Sequence, residues 1–207
     1  MPFGARLLLF FYAFGFPLAW LAHQTRTAEI NDLFELVPAL IWRGEVWRCF
    51  TYAFLPNGII DWVVSLFWLA TLLSVVARNW SGREAWSYFL LTSSAGAVLF
   101  AALNPGMQLG IVGNAAFMFG LLAAWDRLYA RERLILLGIG EISVRQVALL
   151  IALVDVLILF FCLGWRVTIT MLGGGAVGWL YLILRGKNAL NRRSQTLDSE
   201  RIARLEL

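Results

Sequence analysis

With 60% hydrophobic residues over a length of 207 and a mean hydropathy of +0.74, the chain exceeds what a soluble domain tolerates. Lipid is its expected solvent. Its net charge of +4 comes without a basic stripe interleaved with aromatics, which excludes nucleic-acid binding.

A spanning helix takes roughly 20 mostly apolar residues. Such stretches follow one another at Phe3 to Leu21, Trp62 to Ala77, Ala85 to Leu103, Leu109 to Trp125, Val147 to Leu163 and Val167 to Leu184. In each, apolar residues run all round the helix rather than along one stripe, as in spans surrounded by lipid and other helices. The pattern predicts an all-α polytopic membrane protein, a six-helix bundle over residues 1–186, with a polar tail over 187–207. Arg6 ahead of an apolar core resembles a signal peptide. Ala19-Trp20-Leu21-Ala22, however, puts bulky residues at the cleavage position, so the first span is expected to be retained.

The connection from Ala22 to Gly58 carries Ile30, Leu33, Phe34, Leu36, Val37, Leu40 and Ile41 at mixed spacing, then Trp42-Arg43 and Trp47-Arg48. It suits a membrane-surface element, with Trp at the interface and Arg reaching for phosphates or carbonyls. Ser93 and Ser94 in the third span are expected to bond their own helix or a neighbour. Asp155 in the fifth span has two readings, a buried structural hydrogen bond, which is favoured, or a transport role. Cys49 and Cys162 have no Cys or His at metal-ligand spacing and are expected as packing residues. After Leu184 the chain turns polar: Arg185, Lys187, Arg192 and Arg193 suit attraction to anionic lipid. Asp198 or Ser199 can cap a short helix there, and Leu197, Ile202 and Leu205 keep a docking role open.

Charge in the connections gives the orientation, because cytoplasmic loops carry excess Lys and Arg. With both termini inside, thirteen of the seventeen basic residues are cytoplasmic, and only Arg26, Arg43, Arg48 and Arg166 face out.

Three ordered motifs then carry a family resemblance. Gly44-Glu45-Val46-Trp47-Arg48-Cys49-Phe50-Thr51-Tyr52-Ala53-Phe54 resembles the Trp-Arg segment that leads rhomboid intramembrane proteases into their second helix. Gly113-Asn114-Ala115-Ala116-Phe117-Met118-Phe119-Gly120 resembles the fourth-helix motif Gly-x-Ser-Gly followed by an aromatic and glycine. Met171-Leu172-Gly173-Gly174-Gly175-Ala176-Val177-Gly178 resembles the sixth-helix motif that begins with histidine and keeps glycines three and seven positions later.

The resemblance implies a chemistry and, here, its loss. In rhomboids a serine attacks the peptide carbonyl and a histidine takes its proton. Those positions fall on Ala115 and Met171, so nucleophile and base are both missing, and Ala116 replaces the glycine after the serine. The second-helix histidine and asparagine that help hold the oxyanion fall on Asp61 and Ser65 when the alignment runs without gaps from Trp47. An ionised acid there would repel a developing oxyanion; equally, Asp61 reads as an acid favoured by a helix N-terminus. His23, the only histidine, sits at the outer end of the first span, and Lys187, the only lysine, follows the last span. Neither can complete a relocated dyad inside the membrane. What remains is the packing set Gly113, Ala116, Gly120, Gly174 and Gly178, small residues that let helices approach closely.

The expectation is therefore a rhomboid-like pseudoprotease rather than an enzyme, with no cofactor and no metal, in a bacterial inner (plasma) membrane. Its expected partners are the lipid bilayer and the transmembrane helices of client proteins. Clients would be bound without cleavage in a cleft between helices two and five, where rhomboids are thought to admit substrate. The alternatives are an active protease using other residues and a small transporter built around Asp155.

Overall fold

The computed structural model describes the backbone of residues 1–24, 30–130, 132–136 and 140–205. It describes side chains at these positions other than 16, 18–24, 30, 31, 134–136, 140, 159, 162, 163, 166 and 187–205. The expectations for His23, Cys162, Lys187 and the tail side chains therefore lie outside the described residues.

Long helices form where the apolar stretches predict them: α1 (Phe3–Gln24), and, after the connection, α5 (Ile59–Val76), α6 (Gly82–Leu103), α7 (Ala115–Tyr129), α8 (Val144–Leu163) and α9 (Trp165–Leu205). Among the described residues, Ile59–Val76, Gly82–Leu103 and Val167–Gly186 are long and apolar enough to cross a membrane. Polar caps set several boundaries. Ser81 accepts the Glu84 N–H at the start of α6, and Ser143 with Gln146 forms a capping box on α8, supplying acceptors for otherwise unpaired N–H groups. Gly164 at φ +84 turns the chain between α8 and α9, a conformation glycine adopts without strain.

Three boundaries depart from expectation. The fourth span starts at Ala115 rather than Leu109, because Gly113 adopts φ +120 and the preceding segment pairs Ile111 with Leu36 in an isolated bridge. Between α7 and α8, β1 (Arg133–Leu136) and β2 (Gly140–Ser143) form an antiparallel hairpin with Arg133 opposite Ser143 and Leu136 opposite Gly140. Finally, α9 stays helical to Leu205, so neither Asp198 nor Ser199 opens a separate helix. That tail lacks proline and is rich in Arg, Leu, Ala and Glu, residues that continue a helix at little cost.

The connection from α1 folds into α2 (Ile30–Phe34), α3 (Pro38–Ile41), α4 (Arg48–Thr51) and a 3-10 turn, Tyr52–Phe54. Its apolar residues divide: Leu36, Val37 and Ile41 are buried, while Leu33, Phe34, Trp42 and Val46 stay exposed, as in an element lying on the membrane surface.

The bundle is built around α7 and α9, which pack extensively on each other, with α6 against both. At one end, Arg185 pairs with Glu84 at 2.7 Å, and the Tyr129 hydroxyl donates to the Val75 carbonyl at 3.0 Å. Arg78, Arg83, Arg127 and Arg145 lie at this same end of their helices, so the fold gathers the basic residues there. At the other end the Trp42 indole donates to the Ala101 carbonyl, and Gly113 N–H to the Tyr52 carbonyl.

Candidate functional site

The Trp-Arg segment is a clamp on the outer connection. Arg48 is 3% exposed; its Nε meets the Glu45 carboxylate at 2.6 Å and its Nη1 donates to the Glu35 carbonyl at 2.9 Å. The Trp47 indole donates to the Leu33 carbonyl. Of the two targets expected for arginine, phosphate or carbonyl, Arg48 takes the carbonyl. Cys49 is buried and free, as expected of a packing residue.

Next to the clamp, Leu36 and Ile111 exchange backbone hydrogen bonds of 2.9 and 3.1 Å, strapping the connection to the segment before α7. Burial raises the Glu35 carboxyl above its ordinary value, and Asp32 adds repulsion while Arg48 draws it part way back. A carboxyl with a raised folded value holds its proton more tightly when folded, so its contribution is present below the ordinary value of 4.5 and is lost as pH rises through the folded one. The strap should accordingly tighten in acid. Hydrogen-exchange protection at Leu36 and Ile111 should rise as pH falls from neutrality, and Glu35→Gln should flatten the response; an identical response in the variant would exclude Glu35 as its source.

Behind the strap, α7 begins at Ala115, with Asn114 as its N-cap residue. The first turn of α7 meets α9 and α6 without intervening side chains. A Cβ built on Gly174 would lie 2.5 Å from the Ala116 carbonyl oxygen and 2.8 Å from its Cα, and one on Gly96 would lie 2.7 Å from the Ala116 Cβ and 2.8 Å from the Thr170 carbonyl. One turn along, a Cβ on Gly178 would lie 3.1 Å from the Gly120 Cα and would strike the Tyr88 hydroxyl. That hydroxyl donates to the Gly120 carbonyl at 2.5 Å. Ala116, Gly120, Gly174 and Gly178 are thus brought together in one crossing. Met171, 1% exposed, belongs to the turn of α9 that meets the start of α7. Gly113 stands outside the crossing: a Cβ there would meet nothing within 4 Å, and its role is the positive φ that ends the strap.

Asp61 caps α5. Its carboxylate accepts the Asn57 N–H at 2.8 Å and the Ser65 hydroxyl at 3.1 Å, so both residues at the oxyanion-equivalent positions are engaged with each other. Tyr12 lies near both, yet its buried hydroxyl has no hydrogen-bond partner among the described residues; the same holds for the Asn114 amide nitrogen. Both side chains line one small cavity together with Leu8, Phe89 and Phe117. The sequence reading passes over Tyr12, Tyr88 and Asn114; a phenol inside an otherwise apolar span was the available signal, since a buried hydroxyl seeks an acceptor.

Two expectations for intramembrane polar groups need correction. The Ser93 hydroxyl is buried without a partner among the described residues, whereas the neighbouring Thr92 hydroxyl donates to the Tyr88 carbonyl at 2.9 Å. Asp155 forms no structural hydrogen bond among the described residues. Its neighbours one turn away along α8, Ile151, Ala152, Ile158 and Leu159, are all apolar.

The lateral surface is uneven. α5 packs on α1 and α7, α8 packs on α7 and α9, and the two flank α7 without packing closely on each other. Between α7, α8 and α9 lies a groove of about 740 Å³. Alanines and Gly175 line it together with the larger Phe119, Leu122, Leu149, Leu172 and Trp179, with Asp126 and Arg145 at one end, paired through Arg145 Nε at 3.4 Å. Among the described residues there is no cluster of side chains able to hold a metal ion.

No curated protein matches the chain. A family model described as "Eukaryotic integral membrane protein (DUF1751)" matches it over residues 5–196. The description is eukaryotic and lends no support to a bacterial inner membrane. With nearly its whole length matched and its apolar helices of spanning length, the chain belongs to this family of integral membrane proteins.

Proposed function

We propose that the chain is a rhomboid-like pseudoprotease that binds transmembrane segments of other membrane proteins without cutting them. The observation that carries this reading is the groove between α7, α8 and α9, about 740 Å³ and lined by apolar residues small and large, on a bundle whose inner crossing leaves no space of its own. In lipid, helices associate by close packing and interhelical polar contacts rather than by a hydrophobic drive. A stand-off helix with alanines and glycines behind it offers that packing to an incoming segment. The absence of proteolysis in the proposal follows from Ala115 and Met171, since a methyl cannot attack a carbonyl and a thioether cannot accept the proton. The basic end of the bundle is assigned to the cytoplasm by the excess of Arg.

Photo-crosslinking from the groove residue Leu149 in native membranes tests the binding. Intact transmembrane proteins should be captured, whereas capture of lipid alone would sink the proposal. In the same membranes a reporter fused after Lys187 should read as cytoplasmic, and an external signal would reverse the orientation.

A further inference from the structure

Asp155 lies in the middle of α8, half-buried, with no hydrogen bond or ion pair among the described residues. An acid inside a membrane is costly unless it faces a partner or a wet cavity. The spacing of α8 places Asp155 one turn beyond the residues that line the groove. Arg145, Ala148 and Ala152 line the groove, and Asp155 follows Ala152 by one helical turn on the same stripe.

The charges along that stripe do not balance. At one end Arg145 is matched by Asp126, which leaves Asp155 as the acid of the stripe without a basic partner among the described residues. Arg145 stands in the first turn of α8, and Asp155 lies roughly 15 Å further along the helix at 1.5 Å per residue. That is about half of a hydrocarbon core of about 30 Å, so Asp155 sits near the bilayer midplane. The chain's own spans bring no Lys or Arg to that depth: Arg6, Arg83, Arg127, Arg145 and Arg166 lie within a few residues of helix ends, and Arg185 lies at the end of the spanning stretch Val167–Gly186. A second copy of the chain therefore cannot neutralise Asp155. Around it, Leu149, Leu153 and Leu157 are exposed and give an incoming helix an apolar flank, while Ala148, Ala152, Gly175 and Ala176 let its backbone come close.

We infer that this groove selects transmembrane helices carrying a lysine or arginine near the bilayer midplane, with Asp155 as their ion-pair partner. The inference rests on the client-binding reading and names the class of client. A guanidinium or ammonium is itself poorly tolerated in lipid, so client and receptor each relieve a charge the other carries. Short of contact, a hydroxyl or amide on the client would satisfy a hydrogen bond but leave the charge uncompensated.

The test uses the full chain in nanodiscs with labelled single-span Leu/Ala helices of about twenty residues, and reads association by energy transfer. A helix with one central Lys should bind at least tenfold more tightly than its central-Leu counterpart, and one with Lys near its end should show no gain. Asp155→Asn, which keeps shape and removes the acid, should abolish the tenfold preference. Asp155→Glu should retain the preference. Equal binding of the Lys and Leu helices to the wild type, or a preference that survives Asp155→Asn, overturns the inference while leaving client binding intact. Failure of every helix to bind overturns client binding itself. Cation or proton flux that Asp155→Asn abolishes would assign the residue to transport and overturn the inference as well.

Discussion

Gly174→Val should unfold the bundle, lowering its stability by about 3 kcal/mol or more, within the upper range for overpacking a close-packed interior. At Gly174 even the first added carbon would lie 2.5 Å from the Ala116 carbonyl oxygen and 2.8 Å from the Ala116 Cα. Both are backbone atoms and cannot rotate aside. Relief requires α9 to move off α7, and that movement also disturbs the next turn, where Gly178 meets Gly120 and the Tyr88 hydroxyl. Two controls share the helix. A Cβ on Gly175 would lie 3.3 Å from the Phe119 Cβ, and one on Gly186 would meet nothing within 4 Å, so Gly175→Ala should cost little. Gly186→Ala should be neutral or gain up to about 1 kcal/mol from helix propensity. Thermal unfolding in detergent ranks the three, and a valine at position 174 as well tolerated as an alanine at 175 would show that the crossing is not as close as described.

The second large effect concerns chemistry. The unmodified protein should not cleave a generic rhomboid substrate, and Ala115→Ser alone should not either, since an unassisted hydroxyl is a poor nucleophile. The double change Ala115→Ser with Met171→His places a hydroxyl and an imidazole in the same α7 and α9 crossing, yet cleavage should remain weak. Losing one oxyanion donor costs roughly 3 kcal/mol, on the order of a hundred- to a thousandfold in rate. Asp61 offers no donor: its carboxylate accepts from Asn57 and Ser65. Adding Asp61→His and Ser65→Asn should raise the rate on the order of a hundredfold. The same changes remove the Asp61 bonds to Asn57 and Ser65 and should lower stability by about 1 kcal/mol, so activity and melting temperature should move in opposite directions. Cleavage by the unmodified protein that no change at Ala115 or Met171 affects would place the active site elsewhere and end the pseudoprotease reading.

Much of this was legible in the residues because lipid imposes a simple rule. A segment crossing it must be long, apolar and helical to satisfy its backbone, so the stretch from Ala85 to Leu103 announced α6, and that from Val167 to Leu184 announced the spanning part of α9. Gly174 and Gly178, four apart, announced a close crossing for the same reason that a missing Cβ permits one. The oxyanion-equivalent pair was harder to read. Asp61 had two readings in the sequence, and only the positions of Asn57 and Ser65 around it show what its carboxylate engages.

The amino-acid sequence by itself determined the membrane class, the three helices among the described residues that are long and apolar enough to cross a membrane, the placement of arginines at one end of the bundle and the identities of Ala115 and Met171, because each depends on local composition or on side-chain chemistry alone. The count of six helices was not exact, since short helices and a hairpin fill the connections. The tertiary structure decided which groups are left without partners. Ser93 and Asp155 were each expected to find a hydrogen bond, and neither has one among the described residues. Pairing depends on which helix lies beside which, and at what distance. The apolar pattern of a span is nearly the same on every side and holds little record of its neighbours, so the groove beside α8 and the unpaired acid on its stripe appear only once the helices are assembled.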